Sequence, residues 1–298
     1  MKYSGKYKLT ELFLRLVPKP SEPAYEAKMK RLSGKPEKKE RPPRSMGFRR
    51  ETGPHGTLFY ANEGTDQPYT IFYCHGGSYI HGFTSFHWRF LKKLMSRTGA
   101  AVVAAGYRLA PHGTWADAFE LILPAYVRYA REHPDRKLIL MGDSAGGGLA
   151  AALALELLRR GERTPDELIL MSPWTDVTTS DPDIQFFVPQ DPWLIVELRV
   201  CGRWWAGSAD VRDPRVSPLF GPVEGLRHVT VFAGTREILN PDSVKFYAKL
   251  DPAGDNELVI GEGMFHVYPL LPIPEAKAAQ DRIVEKIVRP REDPHGGV

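Results

Sequence analysis

The chain is poor in cysteine: Cys74 and Cys201 are the only two among 298 residues. Two cysteines cannot build a disulfide framework, and a single pair gives little argument for export. No Cys/His spacing of the zinc-binding kind occurs, so neither a metal nor any other cofactor is expected. No uninterrupted apolar run approaches the ~18 residues of a membrane span. The N-terminus is basic and then briefly apolar, but it lacks a long h-region and a small-residue cleavage site, which reads as no signal peptide. A cytoplasmic protein without stable membrane insertion is the expectation. The 27 glycines and 26 prolines follow no period, which excludes a collagen-like chain.

Charge of one sign is scarce as well. The net charge is +4, yet residues 35–50 (KPEKKERPPRSMGFRR) alone hold seven Lys/Arg against two Glu, so the remainder is about neutral. One Pro-interrupted basic segment reads as a solvated loop, and no RNA-binding aromatic motif supports a nucleic-acid partner. What the chain does contain is 42% hydrophobic and 26% charged residues, enough for a substantial core.

Leu9, Leu12, Phe13, Leu16 and Val17 fall at helical spacing, stopped near Pro18 and Pro20, and a charged second helix follows over 25–32. From about residue 46, strands and helices alternate. Strands are expected at 56–62, 69–74, 100–105, 137–141, 168–171, 229–233 and 257–260; helices at 85–98, 115–132, 145–160 and 274–288. This rhythm implies an α/β fold with a mostly parallel sheet covered on both faces. The stretch from 174 to 214 breaks it, being too long for a plain loop and too apolar for a linker. A helical insertion over one end of the sheet is the natural interpretation. The last residues, REDPHGGV, read as a frayed tail.

The main chemical clue is KLILMGDSAGGG, a strand running through Gly142-Asp143-Ser144-Ala145-Gly146 directly into a helix. Gly-x-Ser-x-Gly is weak by itself in a Gly-rich chain. On a sharp strand-to-helix turn it exposes a serine hydroxyl beside a helix N-terminus that favours developing negative charge. Ser144 is therefore a candidate nucleophile, its blander role being that of a helix cap. No Lys-Ser/Thr follows the glycines, so a phosphate loop is excluded. A serine needs a base. His266, after the last strand and before the last helix, lies at the same end of the sheet, whereas His75, His81 and His87, spaced six apart, suit neither a helix face nor a metal. For the carboxylate that orients the base, Glu237 just past a strand end is preferred. Asp242, behind Asn240-Pro241 at a helix start, already has a role as a first-turn acid and stays as the alternative. Strand 69–74 ends in His75-Gly76-Gly77-Ser78, where two glycines let N–H groups aim into a pocket and hold an oxyanion together with the N–H of Ala145.

These motifs resemble the hormone-sensitive-lipase-like carboxylesterases, a branch of the α/β-hydrolases. The resemblance covers about residues 69–290 and rests on HGGSY, the YRLAP of 107–111, GDSAGG, SPLFG and FHVYPL. It implies an α/β-hydrolase fold with an eight-stranded sheet and a helical cap. That cap would combine residues 1–45 with an insertion at 176–213 of a catalytic domain spanning 46–298. It also implies Ser144 as nucleophile, His266 as base, and Gly76, Gly77, Ser78 and Ala145 around the oxyanion. Three positions depart from the family pattern: Ser78 replaces a glycine, Glu237 an aspartate, and Gly106 another aspartate. A serine carboxylesterase that hydrolyses short-chain acyl esters through an acyl-enzyme on Ser144 follows, with an amidase, arylformamidase or thioesterase, or a silent ligand-binding relative, as alternatives. Tyr79, Asp143, Trp174, Phe187, Trp204 and Trp205 are the candidate substrate-binding residues. The cap aromatics either wall the pocket, which favours short acyl chains, or form the cap's own core. No amphipathic stretch strong enough for a lipid interface stands out, which favours an esterase over a lipase. Homodimerisation is left open.

Overall fold

The computed structural model describes residues 3–37, 40–64 and 67–290. The expected tail at 291–298 and part of the basic loop (38–39) lie outside these residues. The central sheet has eight strands: β1 (Arg49–Gly53), β2 (Gly56–Ala61), β3 (Tyr69–Cys74), β4 (Ala101–Tyr107), β5 (Lys137–Asp143), β6 (Glu167–Met171), β7 (Val229–Arg236) and β8 (Glu257–Phe265). Their order is β1-β2-β4-β3-β5-β6-β7-β8. The β1/β2 and β2/β4 pairs are antiparallel and every other pair is parallel. Strands β4, β5 and β6 are buried along their whole length, which is why they read as unbroken apolar runs.

Sequence reading missed β1. Its five residues, RRETG, are all exposed, and an exposed antiparallel edge carries charge without an apolar signal. Thus the basic segment ends as a strand. Strands β5, β7 and β8 also run longer than expected. Backbone pairing continues past the apolar residues, as with Gly234 opposite Gly261.

Helices α3 (Ser85–Thr98), α4 (Trp115–Glu132), α5 (Ala145–Arg159), α8 (Asn240–Ala248) and α9 (Lys277–Val288) complete the crossovers. Two apolar clusters, one on each face of the sheet, form the core. Before the sheet come α1 (Gly5–Arg15) and α2 (Glu22–Ser33), and the insertion contributes the short α6 (Ile184–Phe187) and α7 (Arg199–Ala206). Helix α2 packs on α7 through Glu22 with Arg199 and Arg203, and Glu26 with Arg203. Helix α1 buries Tyr7 and Leu14 and turns Leu9, Leu12, Phe13 and Leu16 outward. Among the described residues no helix is long and apolar enough to cross a membrane.

Candidate active site

Four parallel strands deliver the chemistry at their carboxyl ends: β3 leads to His75-Gly76, β5 to Ser144, β7 to Glu237 and β8 to His266. Ser144 sits between β5 and α5 with φ 52° and ψ −123°, the strained turn of a nucleophile elbow. Such a tight junction demands glycine nearby: a Cβ on Gly146 would lie 2.1 Å from the Cys74 carbonyl oxygen. The Ser144 hydroxyl lies 2.8 Å from His266 Nε2. On the other side of the ring, Nδ1 is 2.6 Å from Glu237 Oε2. A carboxylate accepts only, so Nδ1 carries the proton and Nε2 accepts from Ser144.

Glu237 has no exposed surface. Its Oε1 accepts from the Ser172 hydroxyl at 2.9 Å and from the Gly234 N–H at 2.6 Å. The extra methylene relative to aspartate is absorbed by curling back onto its own strand, next to an irregularity in the β7–β8 ladder between Gly234 and Arg236. Ser172 also accepts from the Val267 N–H at 2.9 Å, so one hydroxyl ties the Glu237 loop to the His266 loop. Asp242 is elsewhere, in the first turn of α8, fully buried, with neither carboxylate oxygen hydrogen-bonded. Burial, with Asp176 and Asp181 nearby, pushes its pKa up to about 8.

The glycine loop is held from below. Asp143 Oδ1 accepts from the Tyr73 hydroxyl at 2.6 Å and from the Gly76 N–H at 3.0 Å. That bond corrects one expectation: the Gly76 N–H is committed to Asp143 and does not serve an oxyanion. The N–H groups of Gly77 and Ser78 have no acceptor among the described residues. Ala145 opens α5, where the N–H has no intrahelical partner. Asp143 Oδ2 meets His87 Nε2 at 3.3 Å. Burial opposes ionisation of Asp143, but the His87 charge and these hydrogen bonds outweigh it and hold the carboxyl below its usual range. Asp143 therefore acts under the loop, although it also lines the cavity. Burial pushes His75 down to about 4; its ring stacks on Tyr107 at 4.4 Å, whose hydroxyl donates to the His75 carbonyl at 2.7 Å.

A cavity of about 610 Å³ opens at Ser144, within the usual range for small-molecule sites. Its walls come from α1 (Thr10, Phe13, Leu14), the glycine loop, Trp193 to Ile195, and Leu270 and Leu271. Of the six expected substrate-binding residues only Asp143 lines it. Tyr79 is buried between Trp205, stacked at 4.1 Å, and Trp174 at 5.7 Å. The Trp204 Nε1–H donates to Glu26 at 3.0 Å, and Phe187 packs on the core. These rings serve packing, because large flat side chains bury most area by stacking on one another. Trp193, an aromatic of the insertion left out of the candidate substrate-binding residues, does line it, and its ring meets His266 edge-on at 5.6 Å. Sequence reading missed Asp191, whose carboxylate accepts from the N–H groups of Trp193, Leu194 and Ile238. An Asx turn before Trp193 was the available signal.

A model of the alpha/beta hydrolase fold family matches residues 71–270. The chain belongs to the α/β-hydrolase family. It is similar to an esterase of Acinetobacter venetianus, 34% identical over 221 residues, covering 72% of this chain and 73% of that one. An acetyl-hydrolase of Streptomyces hygroscopicus is 30% identical over 191 residues, covering 63% and 64%. Among solved structures, an esterase from the bacterial hormone-sensitive lipase family superposes with a TM-score of 0.76 at 26% identity, covering 97% of this chain and 99% of that one. The hydrolase is a carboxylic ester hydrolase of this hormone-sensitive-lipase-like branch.

Proposed function

We propose that the hydrolase cleaves small acyl esters through an acyl-enzyme on Ser144, with His266 as base and Glu237 as the acid that orients it. The observation that carries this reading is the unbroken chain from Ser144 Oγ through His266 to Glu237, with Ser144 and His266 lining the cavity. His266 Nε2 takes the Ser144 proton as Oγ bonds to the ester carbonyl carbon. The carbonyl oxygen becomes an oxyanion held by the N–H groups of Gly77, Ser78 and Ala145, each such donor contributing ~3 kcal/mol of barrier lowering. His266 then protonates the leaving alcohol as the C–O bond breaks. A water, deprotonated by the same nitrogen, releases the acid and restores Ser144.

Tyr79, Trp174, Phe187, Trp204 and Trp205 stand away from the cavity, and the rings that line it are those of Phe13, Tyr25, Phe86 and Trp193. The apolar side chains of Phe13 and Leu14 that α1 adds to the wall suit acyl groups from acetyl, the group named in one relative, to medium-length chains. The test is a p-nitrophenyl ester series assayed beside matched amides and thioesters. We expect ester turnover to dominate, Ser144→Ala to lose on the order of 10⁴-fold or more, and Glu237→Gln on the order of 10³–10⁴-fold. Asp242→Asn is expected to stay within about threefold of wild type. Loss of activity on Asp242→Asn with Glu237→Gln near normal would overturn the assignment of the acid; faster amide or thioester cleavage would overturn the ester reading.

A further inference from the structure

We propose that α1 docks the hydrolase on an anionic lipid–water interface, so that esters held there enter the cavity beside it. This rests on the esterase reading above for what happens after entry. Helix α1 is apolar on two faces. The inner face buries Tyr7 and Leu14 against the catalytic domain. The outer stripe, Leu9, Leu12, Phe13 and Leu16, is 57–73% exposed, at i, i+3, i+4 and i+7 spacing. Scattered exposed leucines are ordinary, but four on one helical stripe form a contiguous patch that calls for a partner. Leu14 belongs to the inner face and Phe13 to the stripe, yet both line the cavity that holds Ser144, so the stripe lies at the cavity mouth.

Charge selects the partner. Residues 1–35 carry nine Lys/Arg against three Glu, and all three carboxylates are already paired: Glu11 with Arg15 and Arg236, Glu22 with Arg199, Glu26 with Arg203. Exposed Lys6 and Lys8 flank the stripe, one on each side and within about 90° of its centre at 100° per residue. An apolar stripe between cations matches an anionic lipid surface. It opposes a symmetric pairing of two copies, which would bring like charges together.

The experiment is flotation of full-length Ser144→Ala protein with mixed phosphatidylglycerol–phosphatidylcholine vesicles and with pure phosphatidylcholine vesicles. Alongside, wild type and the triple variant Leu9→Gln/Leu12→Gln/Leu16→Gln, which spares the cavity-lining residues, are assayed on soluble p-nitrophenyl acetate. We expect binding to anionic vesicles, weakened at least about tenfold by the triple change, with p-nitrophenyl acetate hydrolysis kept within about twofold. Lys6→Gln/Lys8→Gln should weaken anionic-vesicle binding about tenfold and leave neutral vesicles unaffected. Failure of the parent protein to float, or equal flotation by the triple variant, overturns the proposal. So does a wild-type dimer that the triple change converts to monomer, since a second copy would then cover the stripe. Vesicle binding without any ester hydrolysis by wild type would leave docking standing and remove the esterase reading.

Discussion

At the scale of single residues, two buried carboxylates near the same strand end behave in opposite ways because of their neighbours. Glu237 faces His266, Ser172 and the Gly234 N–H; Asp242 faces nothing that donates. Its carboxyl titrates near 8 in the folded state, raised first by burial and then by Asp176 and Asp181, but near ~4 when unfolded. Between those values the folded chain holds a proton that the unfolded chain has released. The stability this proton contributes is complete below the unfolded value and drains away as pH rises to about 8. Asparagine at 242 is neutral throughout. The melting temperature of Asp242→Asn relative to wild type should therefore climb between about pH 5 and 8 and then level off. Thermal scans giving a pH-independent difference would dispose of this account. Sequence spacing favoured Glu237 over Asp242, but nothing in the sequence identifies Ser172, a serine with φ 48°, as the group bridging the Glu237 and His266 loops.

At the scale of elements, α1 is bolted to the segments that lead to Glu237 and His266. Arg236, the residue before Glu237, donates to the Tyr7 hydroxyl at 2.8 Å and pairs with Glu11 at 2.6 Å. Tyr7 in turn donates to the Gly263 carbonyl at 2.6 Å, three residues before His266. Helix α1 is thus cavity wall and strap together. Arg236→Gln should let the wall shift while Ser144, His266 and Glu237 keep their contacts. The expected outcome is a KM for medium-chain p-nitrophenyl esters raised roughly five- to tenfold, with kcat changed less than about twofold. A matching loss of kcat on p-nitrophenyl acetate would mean that the strap instead sets the catalytic geometry. Periodicity made this helix legible, but it did not say which of its apolar residues are buried. Which way a short amphipathic segment turns depends on the surface it meets, and that surface is formed by β8 and the turn at Pro274–Ala276, far along the chain.

For the molecule as a whole, closure at the end of the sheet opposite the site depends on a buried cation. Lys137 at the start of β5 pairs with Glu167 at 3.1 Å and donates to the carbonyls of Lys286 and Arg289 at 2.6 and 2.9 Å. Burial lowers its pKa, and Glu167 opposes that shift. The ammonium satisfies the carbonyls at the end of α9, fixing the last helix to the first turn of the central strand. Lys137→Met should cost about 3 kcal/mol in urea unfolding by leaving those carbonyls unsatisfied and Glu167 with Arg289 as its remaining cation, with kcat/KM of the folded protein unaffected; a cost below about 0.5 kcal/mol would mean the cluster contributes nothing. The sequence by itself determined the alternating architecture, the strand-to-helix turn at Ser144 and the choice of His266, because apolar runs and glycine turns are local signals that a short window carries. Only the tertiary structure decided that Gly76 serves Asp143, that Trp174 and Trp205 stack on Tyr79 away from the cavity, and that α1 forms part of its wall. Each of those outcomes is a contact between residues far apart in the chain, and a one-dimensional pattern holds no record of which distant surfaces meet.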